Sequence, residues 1–236
     1  MNPYAIIPFI CAIVALILGT FVFLKNFRSP TNRSFALLSL QTFWWQIWWF
    51  GIYFAQTGAQ KDLIVRIGYS LILFLPFTYY HFVVRFLNLK RESVWIRCSY
   101  LIGIFWLVLL WTTNLFIVGH NQFRWGSYGK AGPIHPVYLA FVTLVIIRTL
   151  VLLKRSVSDP NCSAIARNQN RFVFFSACLY CVAATEYLIN YGVDFYPIGV
   201  FFILSAFSII TYAIIKHRLM DIKLARQYLA MNIFYG

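Results

Sequence analysis

Seven long apolar stretches, separated by short polar connections, fill almost the whole chain. Each is continuously apolar rather than alternating. Each also approaches the roughly 20 residues that a helix rising ~1.5 Å per residue needs to cross a ~30 Å hydrocarbon core. The pattern predicts helices over about 5–24, 34–56, 67–87, 98–118, 135–153, 172–192 and 197–215. Helices are favoured over a barrel because a backbone in lipid has to pair its polar groups within the segment. The expected fold class is all-α: a polytopic membrane protein forming a seven-transmembrane helix bundle over residues 1–215, with 216–236 running on as a linker.

Composition agrees, with 61% hydrophobic and only 11% charged residues, well under the quarter typical of soluble domains. The net charge of +14 raises the question of nucleic acid, and its distribution answers it. Lys25, Arg28 and Arg33 follow the first stretch; Arg85, Lys90, Arg91 and Arg97 surround the third connection. Arg148, Lys154, Arg155, Arg167 and Arg171 surround the fifth, and Lys216, Arg218, Lys223 and Arg226 follow the seventh. Lys61, Arg66, Arg124 and Lys130 are the remainder. Cytoplasmic loops carry the Lys and Arg excess, so the N-terminus is expected outside and the C-terminus in the cytoplasm. The basic groups thus report topology and contact with the lipid bilayer, not nucleic acid. Met1-Asn2-Pro3-Tyr4 carries no basic residue, so the first stretch reads as an uncleaved anchor.

The connections are short. The longest on the outer side, Gly119–Pro136, is rich in Gly and Pro and is expected to be an ordered loop. Ile215, Leu219, Ile222, Leu229 and Ile233 form a heptad-like stripe after the seventh stretch. Two readings fit it: a helix continuing out of the membrane towards a homodimer, or an amphipathic helix on the inner leaflet.

No catalytic, cofactor or metal motif stands out: there is no Gly-rich phosphate loop and no His-Glu-x-x-His. The five cysteines do not suggest a disulfide framework, and Cys178-x-x-Cys181 reads as packing. Polar groups at membrane depth are better pointers, since an ionisable group there is costly unless paired or wetted. His81 follows Pro76 in the third stretch, either as a neutral residue bonded across helices or as a ligand or proton contact. Glu186 is the only acid inside a predicted span. Helical spacing puts Asn190 and Asp194 on its face, and Arg66, Arg124 or Lys130 are candidate counter-charges. Trp44, Trp45, Trp48 and Trp49 form two i, i+4 pairs in the second stretch, readable as an aromatic belt or as the wall of a pocket closed by Trp125.

Seven spans invite comparison with retinal proteins and G-protein-coupled receptors. Yet Lys216 lies at the membrane edge, and Val84-Arg85-Phe86 and Ile209-Ile210-Thr211-Tyr212 stand where receptor motifs would be expected. A different resemblance runs along essentially the whole chain. Thr211-Tyr212-Ala213-Ile214-Ile215-Lys216-His217-Arg218-Leu219-Met220-Asp221-Ile222 resembles the exit motif of the N-terminal seven-helix sensor regions of bacterial histidine kinases. Asn32-x-x-Phe35, Pro76 with His81-Phe82, Trp125-Gly126-x-x-Gly129-Lys130-Ala131-Gly132-Pro133 and Tyr196-Pro197-x-Gly199 are similar to that family in the same order.

The resemblance implies a non-catalytic input module in a bacterial inner membrane, acting as a homodimer on a cytoplasmic kinase domain in cis or a partner in trans. Its signal would be a small apolar or amphipathic molecule. Tyr212, His217, Arg218, Leu219 and Asp221 would form the output lever. No phosphoacceptor helix or ATP-binding lobe is read in these residues. The alternative expectation is a small transporter or channel, or a stand-alone membrane partner.

Overall fold

The computed structural model describes residues 3–217, apart from the side chains of Thr211 and of residues 214–217. Arg218, Leu219 and Asp221, together with the stripe beyond them, lie outside the described residues. The described chain is mostly helical: α1 (Ile6–Lys25), α2 (Pro30–Ile52), α3 (Gly58–Ile72), α4 (Leu75–Phe86), α5 (Ser93–Thr112), α6 (His135–Ser158), α7 (Ala164–Val182) and α8 (Gly199–His217). Five helical segments among the described residues are long and apolar enough to cross a membrane: Pro3–Lys25, Gly58–Phe86, Lys90–Thr112, His135–Ser158 and Ala164–Tyr191. α2 is less apolar because Ser39, Gln41, Thr42 and Gln46 are turned into the core.

Neighbouring helices pack in the order α1, α2, α4, α6, α7, α8 and back to α1, while α5 lies against α3 and α4. α1 presents Cys11, Ala15 and Gly19 to this core and leaves Ile10, Ile17 and Leu24 exposed. Small residues at steps of four let two helix backbones approach closely, and an added Cβ at Gly19 would overlap Ser39 of α2. Asn32 fixes the same pair by donating from Nδ2 to the Val22 carbonyl at 2.9 Å. Phe35 then joins α2 to α4 and α8 through ring contacts with Phe82 and Phe207.

Two expected helices are interrupted. The third stretch divides into α3 and α4 around Leu73 and Phe74. Pro76 lacks the N–H that would continue the ladder, and its ring crowds the preceding turn. Tyr138 of α6 donates to the Leu73 carbonyl at the break, at 3.3 Å. The sixth stretch leaves α-geometry after Val182 and winds as a 3-10 helix over Ala183–Tyr191. Runs of that geometry beyond three or four residues are uncommon and often mark functional positions. Gly192, at φ +91°, ends it.

The all-α expectation is corrected at one place. Residues placed at the end of span 98–118 and in the following loop form an antiparallel hairpin, β1 (Ile117–Phe123) and β2 (Gly126–Ala131), turning at Arg124 and Trp125. Gly119 (φ +133°) and Gly126 (φ +154°) hold backbone conformations that side chains disfavour. Trp125, Ser127, Tyr128 and Gly129 of the hairpin are buried, covering one end of the bundle.

Candidate functional site

The two interruptions face one another across a cavity of about 70 Å³. Ile72 and Pro76 contribute from the α3–α4 break, and Ala183, Glu186 and Tyr187 from the 3-10 segment. Trp45 of α2, Tyr79 of α4, Tyr128 of β2, Val142 and Thr149 of α6 and Tyr180 of α7 complete most of the wall. The lining is apolar and aromatic except for a few polar atoms.

Glu186 is the centre of those polar atoms and is 2% exposed. The 3-10 geometry explains its direction: with three residues per turn, Ala183, Glu186 and Ile189 stack on one line, and all three are buried. Tyr128 donates its hydroxyl to Glu186 Oε2 at 3.3 Å. The backbone N–H groups of Gly199 and Val200, at the start of α8, lie beside the same carboxyl. A helix N-terminus is a favourable place for negative charge. Gly199 makes this approach possible, since an added Cβ would overlap Glu186 Oε1 and the Ala183 backbone. Oε1 itself has no hydrogen bond of good geometry.

Two further cavity-lining groups share that property. Trp45 Nε1 lies near Tyr128 and the Tyr79 hydroxyl near Ser176, and neither completes a hydrogen bond. Buried polar atoms in native proteins are nearly always paired with protein or ordered water. Trp45, Tyr79 and Glu186 place these polar atoms on an otherwise apolar wall. Burial, with Glu186 next to it, holds the Tyr128 hydroxyl well above its ordinary pKa, so it stays a donor.

Asn190 fastens the hairpin over this centre. Its Nδ2 donates to the Gly129 carbonyl at 2.8 Å and to the Tyr69 hydroxyl. Asn121 of β1 donates in return to the Ile189 and Asn190 carbonyls at 3.1 and 3.3 Å. Farther out, Trp49 meets Trp125 and Tyr128 edge-on, with centroids 6.4 and 6.2 Å apart. Tyr196 packs on Trp49 and Trp125, its hydroxyl pushed up to about 12 by burial, then by Glu186 and Tyr4.

The sequence-derived candidates thus divide. Trp45 and Glu186 line the cavity. Trp48, Trp49, Trp125 and Asn190 form the layer that covers it, and the Nε1 atoms of Trp48 and Trp49 are also unpaired. Trp44 points elsewhere, donating to the Ile67 carbonyl at 3.1 Å. Trp125 closes the aromatic layer, not the cavity wall, and donates to Asp194 Oδ1 at 3.1 Å.

Asp194 does not share the face of Glu186 and Asn190. It lies beyond the Gly192 turn and is exposed, because α-helical spacing does not extend through this segment. The candidate counter-charges are not at Glu186 either. Arg66 reaches the Leu110 and Thr113 carbonyls and Asn114 at the end of α5, while Arg124 and Lys130 are exposed. The carbonyl-rich end of α5 attracts the guanidinium. His81 is not part of the cavity lining. It bonds Tyr100 at 3.1 Å and accepts from Arg85 Nε at 3.1 Å, joining α4 to α5. Of the output residues, Tyr212 packs on Phe172 of α7 and the His217 backbone ends α8.

Tyr69, Tyr79, Tyr128, Tyr180 and Tyr187 were not singled out from sequence. Tyrosines are common here, at 15 residues, and nothing in spacing separates those around the cavity from the rest. Among the described residues no group of three His, Cys, Asp or Glu is placed to hold a metal.

The chain matches the N-terminal 7TM region of histidine kinase over residues 7–223, nearly its whole length, and it belongs to that family. It is a membrane protein, and the region it represents is a sensor input region rather than the catalytic part of such kinases. No curated protein matches it.

Proposed function

We propose that this chain is the signal-receiving module of a bacterial inner-membrane histidine kinase, with seven spans, the N-terminus and hairpin outside, and α8 leading to the cytoplasm. The cavity receives a small amphipathic signal from the exterior or the bilayer. Its occupancy biases the position of α8, which passes the change to a kinase domain in cis or to a partner in trans, within a homodimer.

The observation that carries this reading is the double contact of Glu186. One side of its carboxyl lies at the cavity, and the other lies at the first amides of the helix that leads out of the domain. An occupant that engages this carboxyl alters the N-terminal anchorage of α8 directly. A difference of ~1.4 kcal/mol in its affinity for two α8 arrangements shifts their ratio tenfold.

Ala184 is a half-exposed part of the cavity wall, so Ala184→Leu fills space without touching the carboxyl. In the intact kinase this variant is expected to give a fixed autophosphorylation level that no longer follows the signal. A response like that of the unmodified protein would discard the cavity as input. Solute flux through liposomes carrying the protein would favour a transporter instead.

A further inference from the structure

Glu186 is buried without a basic partner among the described residues: the two ion pairs there are His120–Asp62 and Arg148–Glu92. Its neighbours offer hydrogen bonds but no full positive charge. An ionised carboxylate in a low-dielectric interior is unfavourable until a cation is brought to it. The other walls have a matching character. Trp45, Tyr69, Tyr79, Tyr128, Tyr180 and Tyr187 surround the space with aromatic rings, whose faces attract cations most strongly where water is excluded.

We infer that the cavity is a site for a small organic ammonium, whose N–H groups bond the Glu186 carboxyl and whose alkyl part lies against the aromatic wall. The inference rests on the sensor reading above and names the chemical class of its signal.

Size is compatible: a water needs only about 10–15 Å³ of such space, so a cavity of about 70 Å³ has room for a short alkylammonium. A neutral alcohol of the same length fits the volume but supplies no charge. The proposed ammonium would share the Glu186 carboxyl with Tyr128 and the α8 amides. It would redistribute the charge that now faces the start of α8, which connects ligand class to output.

The test is calorimetric titration of the chain in zwitterionic lipid nanodiscs with n-propylammonium and with n-propanol, against empty nanodiscs. The ammonium is expected to bind at least about tenfold more tightly than the alcohol, and Glu186→Gln to remove that preference. The comparison of the two probes on the unmodified chain needs no variant to fold. Ala184→Leu should abolish ammonium binding while leaving the carboxyl in place.

Equal binding of the two probes, no binding of either, or a charge preference that survives Glu186→Gln would overturn the inference. Hydrogen exchange at the Gly199 and Val200 amides separates it from the sensor reading. Ammonium binding that leaves those amides unchanged supports the ligand class and counts against signalling through α8. An output change in Ala184→Leu without ammonium binding does the reverse.

Discussion

Two glutamates of this molecule meet opposite environments. Glu92, just before α5, is gripped by Arg148 of α6, whose Nε and Nη2 donate to its two oxygens at 2.9 and 2.7 Å. Tyr80 donates to it as well, and the Arg148 guanidinium lies 5.6 Å from the Trp95 ring centroid. Carboxylate, cation, tyrosine hydroxyl and aromatic face are all present. Glu186 has the tyrosine and the aromatic faces, and helix amides besides, but no cation among the described residues. The first set closes on itself and staples α5 to α6. The second has no basic side chain bonded to it among the described residues and borders a cavity. A paired carboxylate serves the fold, and an incompletely paired one, held at the root of an exit helix, is available for exchange with a ligand.

That contrast can be broken in order of expected effect. The largest loss should come from Gly199→Ala, which drives a Cβ into the Glu186 carboxyl and the Ala183 backbone. Overpacking of this kind costs about 2–3 kcal/mol, and thermal unfolding in nanodiscs should show it as a clear fall in Tm. Asn190→Ala comes next. It strands the Gly129 carbonyl and releases Tyr69, at about 1–2 kcal/mol for hydrogen bonds in a membrane protein. Its mark would be faster amide exchange across β2, and unchanged exchange there would contradict the proposed tie.

Glu92→Gln should cost less, about 1 kcal/mol at most, because the Arg148 side chain is 45% exposed and the pair is screened. Adding salt should shrink the difference between this variant and the parent protein. Glu186→Gln should be the smallest, within about 0.5 kcal/mol, since it removes no ion pair and keeps an acceptor for Tyr128. A large, salt-sensitive loss in Glu186→Gln would mean that a cation already sits there, and the comparison would collapse.

Several features of the site were legible from the residues. Glu186 is the one acid inside a predicted span; Trp45 lines the same cavity, and Trp48, Trp49 and Asn190 lie in the layer over it. A proline inside an apolar run is a weak point for a helix, and the break lies just before Pro76. Other inferences failed for identifiable reasons. Asp194 was placed by α-helical spacing, which the 3-10 segment does not follow. The hairpin is not legible in the sequence because its strands carry Gly, His, Asn and Gln in place of the alternating β-branched pattern that signals strands. Arg66 was a plausible counter-ion by sequence, yet the carbonyl end of α5 captured it.

What the sequence determined by itself was class: length and continuity of apolar runs follow from bilayer thickness and backbone pairing, both local along the chain. The motifs along it determined the family in the same way. Which polar groups find partners was decided only by tertiary structure. Glu186 and Glu92 are the same residue type, and their difference depends on Arg148 reaching one across 56 residues while no cation among the described residues reaches the other. Hydrogen bonds and ion pairs act over a few ångströms, so the cavity exists only once two broken helices, a hairpin and the start of α8 converge.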